Sequence, residues 1–385
     1  PHVSQEAKEA LAASARPPIQ LVTVGSGARA FSVGNEVVLF RHEKTFYNPT
    51  ALAVRIKTTQ PRDTIASLVS AVNPYSVERV GIQMKLNAIA IDDASGDASA
   101  FASCVEQVSS LTEMPLILMS KDPKVMEAGL VKVKDGSRPL IYAANAENVA
   151  KMALLAVQHK CPLAVYGQGL SQVTDVVVQA NKAGAEELVL DPGARDYGET
   201  LNIFTQVRRL ALRANERLVG YPVIAFPGEG ASSPEEEAVL ASQFVTKYAS
   251  IVVLDHFVPS HVYPLMTLRQ NIYTDPQKPI QVEPGVYPIR EPGRDSPVLV
   301  TTNFSLTYFS VAGEVEGSGF PAWLVICDTD GQSVLTSWAA GKFDASKIAK
   351  TVTKHEVGAR VDHRFMVIPG HVAVLSGEIE EELPG

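Results

Sequence analysis

The chain has 385 residues, more than one ordinary core accommodates, so two or three domains are expected. It is 46% hydrophobic and 20% charged, with a formal net charge of -8, which argues against a nucleic-acid surface that would need basic excess. No apolar run approaches the roughly 20 residues a membrane helix requires, and residues 1–16 read as a polar helix rather than a signal peptide. Cys104, Cys161 and Cys327 each lie in an apolar segment, which fits buried, reduced thiols in a cytoplasmic protein better than a disulfide frame. Because the chain starts at Pro1 and not at a Met, an upstream segment is expected.

Residues 4–15 form a candidate short helix, ended by Pro17-Pro18. Residues 20–24 and 36–41 then read as two strands joined by GSGARAFSVGN. No helix follows its Gly-x-Gly, so the dinucleotide-loop reading fails its own context. The pair is expected to be a hairpin that closes one end of the next domain, and residues 1–50 form an N-terminal helix-and-hairpin region.

From Ala51 the pattern becomes regular. Apolar runs recur at 52–56, 88–91, 116–119, 140–143, 163–166, 188–190, 223–226 and 251–254. Helical periodicity fills the intervals, most clearly at 98–111, 148–157, 173–183, 197–214 and 234–248. Short apolar strands alternating with helices predict parallel βαβ units. Eight of them over about 220 residues predict an α/β fold, a (β/α)8 TIM barrel spanning 51–273 with its helices outside. The runs end in Asp92-Asp93, Ser120-Lys121, Asn145, Gly167-Gln168, Asp191-Pro192-Gly193, Pro227-Gly228-Glu229 and Asp255-His256. Such residues mark the loop face where barrels place chemistry, although helix caps and turns call for the same types. The carboxylates Asp92, Asp93, Asp191 and Asp255 offer an acid/base cluster or, equally, capping and ion-paired roles. PGEGASS at 227–233 offers a phosphate cradle, but Glu235, Glu236 and Glu237 would repel an anion. A turn leading to an N-cap at Ser233 is the better reading. No zinc, Walker or G-x-S-x-G signature is present.

Residues 274–296 hold Pro276, Pro279, Pro284, Pro288 and Pro292 with Gly285 and Gly293, a density that predicts an ordered interdomain linker. From 297 to 385 the chain starts again as a small doubly wound α/β domain. Strands are expected at 298–301, 322–327 and 365–368, and helices at 345–355, with Asp344 near its start, and 371–380. The run 322–327 is short enough for a strand buried on both faces, and it stops at Asp328-Thr329-Asp330-Gly331. Ligands of open α/β sheets sit outside the carboxyl ends of such strands, so this loop is the first candidate site.

The stretch VTTNFSLTYFSVAGEVEGSGFPAWLVICDTDGQSVLTSWAAGKF and the ending VIPGHVAVLSGEIEEELPG resemble the large subunit of corrinoid iron–sulfur proteins, which serve acetyl-CoA synthesis in anaerobes. RHEKTFYNP at 41–49 and the order of barrel then small domain agree, and the resemblance covers essentially the whole chain. Members of that family carry an earlier small domain whose four cysteines bind a [4Fe–4S] cluster. PHVSQEAKEAL resembles the stretch directly after the last of those cysteines, so no cluster is expected on this chain.

The resemblance implies a base-off cobalamin (corrinoid) cofactor on the last domain. A widespread corrinoid fold presents Asp-x-His-x-x-Gly after a strand, with the His ligating cobalt from below. Here the loop reads Asp328-Thr329-Asp330-Gly331-Gln332-Ser333, with no His two residues after Asp328. Axial ligation is the protein's main lever on metal potential, and a missing lower ligand eases reduction to four-coordinate cobalt(I). The residues expected to hold the cofactor are Thr301, Thr302, Asn303 and Thr307 at the corrin amides. Asp328, Thr329, Asp330, Gly331, Gln332 and Ser333 are expected at its lower face or nucleotide tail, and Gly370 and Ala373 where the tail approaches closely. For each of them a turn or cap role stands beside the binding role.

The implied function is that of a corrinoid methyl carrier. It would accept a methyl group from methyl-tetrahydrofolate through a separate methyltransferase and deliver it to acetyl-CoA synthase/CO dehydrogenase. The implied partner is a small corrinoid-protein subunit in a heterodimer. An alternative of a different class is a barrel that is itself a pterin-dependent corrinoid methyltransferase, using the mouth at Asp92, Asn145 and Asp191. A third is a barrel that serves only as a docking platform.

Overall fold

A computed structural model describes residues 4, 7, 15–79, 82–274 and 280–383. Most of the expected helix at 4–15 lies outside the described residues. The chain divides into two compact units: residues 1–77 with 84–273, and residues 78–83 with 274–385.

In the first unit, β1 (Val22–Val24) and β2 (Phe31–Val33) form an antiparallel hairpin. The hairpin matches the expectation, but its second strand is Phe31–Val33 and not residues 36–41. Residues 36–41 contribute only an isolated bridge from Glu36 to Ile19. The left-handed turn at Gly34 (φ +84°) and Asn35 (φ +59°) ends the ladder before them.

Eight parallel strands follow: β3 (Ala51–Lys57), then, after the small hairpin of β4 (Ser76–Arg79) and β5 (Ile82–Lys85), β6 (Ala88–Asp92), β7 (Leu116–Met119), β8 (Leu140–Ala144), β9 (Leu163–Tyr166), β10 (Leu188–Asp191), β11 (Ile224–Ala225) and β12 (Ile251–Leu254). They pair in the order β10-β9-β8-β7-β6-β3-β12-β11, and a parallel bridge from Leu190 to Val223 joins the two ends. All eight expected apolar runs are strands of this (β/α)8 barrel.

Alternation along each strand sorts its residues. Leu52, Val54, Ile56, Ile89, Ile91, Leu116 and Leu118 pack outward with helix residues such as Phe101, Val105, Val176 and Phe244. Ala51, Ala53, Ala88, Ala90, Ile117, Leu140, Ala164, Val189, Ile251 and Val253 face the inner core. Many of these inner residues are small, and the room they leave is filled by Val22, Val24, Phe31 and Val33 of the hairpin. Gly25 N donates to Arg138 O, and a Cβ on Gly25 would meet Pro115. Both partners precede barrel strands, so the hairpin plugs the amino-terminal end. The opposite end is left as the loop face.

Side-chain caps start several of the helices. Asp97 accepts from Ser99 N and Ala100 N, and Asp122 from Lys124 N. Ser233 Oγ accepts from Glu236 N at 3.2 Å ahead of a helix at Pro234–Thr246, the N-cap that the sequence 227–233 predicts.

The second unit holds a four-stranded sheet in the order β13-β15-β14-β16, from β13 (Gly285–Ile289), β14 (Val298–Thr302), β15 (Ala322–Cys327) and β16 (Met366–Val367). β14 is parallel to β15 and β16, and β13 is antiparallel to β15. Part of the expected linker is therefore an edge strand. Pro288 lies within it, a place a proline tolerates because an edge has one side free of the ladder. Val298, Val300, Val325 and Cys327 pack on one face with Phe343, Ile348 and Leu375. Leu324 and Ile326 pack on the other, with Tyr308, Val311 and Val315 of α1 (Ser305–Ser318) against them. α2 (Val334–Ala339) follows β15, and α3 (Ala345–Lys354) is capped by Asp344, which accepts from Lys347 N at 2.8 Å. The expected helix at 371–380 is instead a 3-10 segment, Gly370–Leu375, running into a helix at Ser376–Glu382. Val372, at φ -120°, breaks the helical path.

Candidate functional site

Each unit presents the carboxyl ends of parallel strands, the positions where such sheets bind ligands. In the second unit the chain runs from β14 to β15 on one side and then to β16 on the other. The crevice of such a crossover lies at the carboxyl ends of β14 and its neighbours.

Thr301 and Thr302 end β14, and the pleat sends them to opposite faces. Thr302 continues the face of Val298 and Val300, and Thr301 that of Leu299. Both are buried, at 1% and 0% exposure, and neither hydroxyl oxygen has a hydrogen-bond partner. Gln332 Oε1 is buried without a partner as well. Unpaired buried polar atoms are costly, and this end of the sheet holds three.

Asn303 behaves differently from the expectation. Its Oδ1 accepts from Thr329 N at 2.9 Å, Thr329 Oγ1 at 2.8 Å and Gly331 N at 3.0 Å. Its Nδ2 donates to Gln281 Oε1 at 3.2 Å and Asp328 Oδ1 at 3.4 Å. The amide is consumed in latching the loop after β15 to the end of β14, which leaves none of it for a cofactor. Thr329 is buried and held by the same latch, and its hydroxyl also lies 3.1 Å from Gln332 O. Gly331 sits at φ +70°, and a Cβ there would stand 2.6 Å from Gln281 Cγ, so the tight turn needs glycine. Asp328 and Asp330 are exposed; Asp330 pairs with Lys342 at 2.9 Å. Ser333 Oγ lies 3.0 Å from Thr336 Oγ1 in the first turn of α2. Thr307 is half-buried in the first turn of α1. Gly370 and Ala373 are exposed on the 3-10 segment after β16, and Gly370 has open space where a Cβ would be.

Sequence reasoning missed the apolar part of this end. α2 packs on the 370–375 segment, and between them they expose Leu335 (49%), Trp338 (42%) and Val374 (71%). The signal was a six-residue helix whose aromatic residue has no core to enter. The loop after β15 carries no imidazole, and the only histidine of the 370–375 segment, His371, is exposed.

The barrel mouth has another chemistry. Extending the inward parity by one more residue per strand gives Arg55, Asp92, Met119, Tyr142, Tyr166, Asp191, Phe226 and Asp255. Apolar layers thus give way to a polar top layer. It bounds a cavity of about 590 Å³ with Asp93, Ser120, Lys121, Asp122, Gln168 and Glu229. Arg195 binds Asp191 through both terminal nitrogens at 2.9 Å and Glu229 through Nε at 2.5 Å. Arg55 binds Glu229 Oε1 at 2.8 Å and Asp255 Oδ1 through Nε at 2.8 Å. Both guanidinium groups lie over the Phe226 ring, at 5.6 Å for Arg55 and 5.1 Å for Arg195. Tyr142 donates to Asp191 Oδ2 at 2.6 Å, and burial together with that carboxylate pushes its phenol well above the ordinary value. Burial would raise the Glu229 carboxyl, but Arg195 and Arg55 outweigh it and hold it low. Burial raises Asp92, which Arg55 at 3.6 Å and Lys57 only partly offset. Asp191 and Asp255 are thus ion-paired. Asn145 is spent at the start of the next helix, accepting from Glu147 N and Asn148 N.

The sequence profile described as CO dehydrogenase/acetyl-CoA synthase delta subunit matches residues 21–384. The chain is 44% identical over 381 residues to the corrinoid/iron-sulfur protein large subunit of Moorella thermoacetica, covering 99% of this chain and 85% of that protein. The chain belongs to the corrinoid/iron–sulfur protein large-subunit family. Acetyl-CoA decarbonylase/synthase complex gamma subunits of Methanopyrus kandleri and Archaeoglobus fulgidus are each 36% identical over 393 residues. They cover 99% of this chain and 84% and 83% of those proteins. The match runs through both units, so family membership rests on the barrel as well as on the small sheet.

Proposed function

We propose that this chain is the corrinoid-carrying subunit of a methyl-transfer system that feeds acetyl-CoA synthesis, with the cofactor on the carboxyl end of the four-stranded sheet. The observation that carries this reading is the chemistry of that end. Buried hydroxyls of Thr301 and Thr302 and the Gln332 carbonyl lack partners, beside an exposed apolar rim of Leu335, Trp338 and Val374. A corrinoid is a broad apolar ring fringed by amides, and these two kinds of group suit its two kinds of surface. When bound, it supplies a low-valent cobalt centre able to take up and release a methyl group.

The residues divide the work. Asn303 ties the loop after β15 to the end of β14 and so orders Asp328 to Ser333. Gly370 and Ala373 leave the approach after β16 free of bulk. The loop offers no imidazole, so no histidine of it would ligate the metal, and the family resemblance is what suggests a base-off cofactor. The names of the relatives support partners of the decarbonylase/synthase type. A small corrinoid-protein subunit, a separate methyl-tetrahydrofolate:corrinoid methyltransferase and acetyl-CoA synthase/CO dehydrogenase are the partners we infer. A [4Fe–4S] cluster is assigned to the part of such proteins that this chain does not match.

The test is spectroscopic. The chain loaded with cobalamin should give base-off absorbance and an EPR spectrum free of nitrogen superhyperfine splitting. Nitrogen splitting would contradict the base-off assignment, and a chain that retains no corrinoid would end the carrier reading. Labelled methyl-tetrahydrofolate should methylate the loaded chain only when a methyltransferase is added. Methylation without it would favour the barrel as the catalyst.

A further inference from the structure

The second unit holds a cavity of about 590 Å³ that the carrier reading leaves unused. Val298, Met366, Ile368, Ile379 and Leu383 supply much of its apolar wall. Val298 is the first residue of β14, so the cavity lies at the amino-terminal end of the sheet, away from Thr301 and Thr302. The chain that leads to β16 makes one helical turn, Val357–Arg360, after a left-handed Glu356 (φ +51°), and β16 itself has two residues. Little regular structure therefore covers the start of β14 on this side.

Two features give this end the character of an interaction surface. Phe365, which also lines the cavity, is 83% exposed, the most exposed large apolar side chain among the described residues, and Val367 beside it is 55% exposed. An apolar hollow continued by exposed apolar side chains marks a place where another molecule is covered. β16 is also the last strand of its sheet and pairs with β14 on one side alone. An edge strand presents free N–H and C=O groups to which a further strand can add.

The charges at the cavity narrow what that strand carries. Glu356, Glu380 and Glu382 line it, and none of the three makes an ion pair among the described residues. Against them stands one guanidinium, that of Arg364, which donates to His363 O at 3.0 Å. His363 is spent within the wall: its Nε2 donates to Ser296 O at 2.9 Å, and its Nδ1 accepts from Phe365 N at 3.2 Å. An acidic peptide or an anionic lipid surface would meet like charge here, whereas a basic segment meets three uncommitted carboxylates.

We propose that the amino-terminal end of the small sheet docks an extended segment of a partner protein, apolar at its centre and bearing lysine or arginine on either side. The segment adds to β16 as a further strand. The pleat then sends alternate side chains to opposite faces: a large apolar residue and its basic neighbours two positions away lie over Met366, Ile368 and the carboxylates, and the residues between them lie beside Phe365 and Val367. This surface is separate from the carrier reading and does not depend on it, because Thr301 and Thr302 stand at the other end of β14.

The test uses the full chain and three end-capped heptapeptides titrated by calorimetry. The first is Thr-Lys-Val-Leu-Val-Lys-Thr, the second has glutamate for both lysines, and the third has serine for the valines and leucine. The first should bind about tenfold tighter than either of the others. Phe365→Ala, at a side chain too exposed to support the fold, should weaken it about fivefold, and Glu380→Gln about threefold. Glu381→Gln, on the same helix but outside the lining, should leave it unchanged. Hydrogen exchange of the backbone at 365–368 should slow when the first peptide is bound. Absence of binding, equal binding of the glutamate or serine peptide, indifference to Phe365→Ala, an equal loss in Glu381→Gln, or unchanged exchange at 365–368 would each overturn the proposal. The peptide series on the unmodified chain decides the matter even where a variant does not fold.

Discussion

The two units place their parallel strands' carboxyl ends in the same topological position and furnish them in opposite ways. At the barrel mouth the polar groups answer one another: Asp191, Arg195, Glu229, Arg55 and Asp255 form one continuous chain of charge-assisted contacts. At the end of the small sheet, two hydroxyls and a carbonyl oxygen are buried unanswered, and aliphatic and aromatic side chains stand in solvent nearby. The contrast teaches that topology gives the place of a site but not its ligand. Exposed Leu335, Trp338 and Val374, on elements that pack together beside β14, and unpaired hydroxyls are what the proposed amphiphilic ring would need.

The contrast is broken most forcefully at Arg55, whose side chain is only 5% exposed. Arg55→Ala leaves Asp255 and Glu229 without their shared cation. It should destabilise the barrel unit by about 3–5 kcal/mol in chemical denaturation. A loss under about 1 kcal/mol would show that the network is not a structural unit.

Next in size is Asn303→Ala in the other unit. It removes one oxygen that accepts three hydrogen bonds and strands the buried N–H of Thr329 and of Gly331. A cost of about 2–4 kcal/mol is expected, together with a large fall in corrinoid retained after gel filtration. Retention at the parental level would remove the latch from the binding argument.

Trp338→Ala should separate binding from folding. Its side chain is 42% exposed, so stability should change by less than about 1 kcal/mol, whereas corrinoid affinity should fall about tenfold. Equal corrinoid affinity in titrations of the two proteins would mean that the apolar rim serves something else.

The acid response sharpens the comparison further. Glu229 is held below the ordinary carboxylate range. It therefore favours the fold above about pH 4.3, its unfolded value, and that contribution disappears as pH falls through its lower folded value. Asp92 has the opposite sign: its raised carboxyl disfavours the fold when ionised, and protonation relieves that. Asp92→Asn should raise the melting temperature at pH 7 and reduce the difference between pH 7 and pH 5. A lower melting temperature at pH 7 would show that Asp92 is paired more closely than its 3.6 Å contact implies. The smallest effect is expected at His371, exposed and outside the loop after β15: His371→Ala should leave the EPR spectrum of the loaded chain unchanged.

Much of the barrel was legible because short apolar strands and helices differ in period, and period is local. All eight strand runs, and the caps at Ser233 and Asp344, could be placed from neighbours a few residues apart. The hairpin's second strand was misplaced because residues 36–41 look as apolar as Phe31–Val33. Only the left-handed turn at Gly34-Asn35 separates them. The strand inside the proline-rich stretch was hidden because proline excludes a central strand but not an edge. Within the candidate site, Thr301 and Thr302 were read as equivalent, and the pleat of β14 sets them on opposite faces.

By itself, the sequence determined the alternation of strand and helix, the strand ends that bear polar residues, and the absence of an imaginable lower histidine in Asp328 to Ser333. Closure of the ring decided which of those polar ends meet, since Arg55 and Asp255 lie 200 residues apart and touch only because β3 and β12 are neighbours. Tertiary packing likewise turned Asn303 from a cofactor contact into a loop latch and brought Trp338 to the rim. Periodicity assigns a side chain to a face, but the partners on that face come from elements that are remote along the chain.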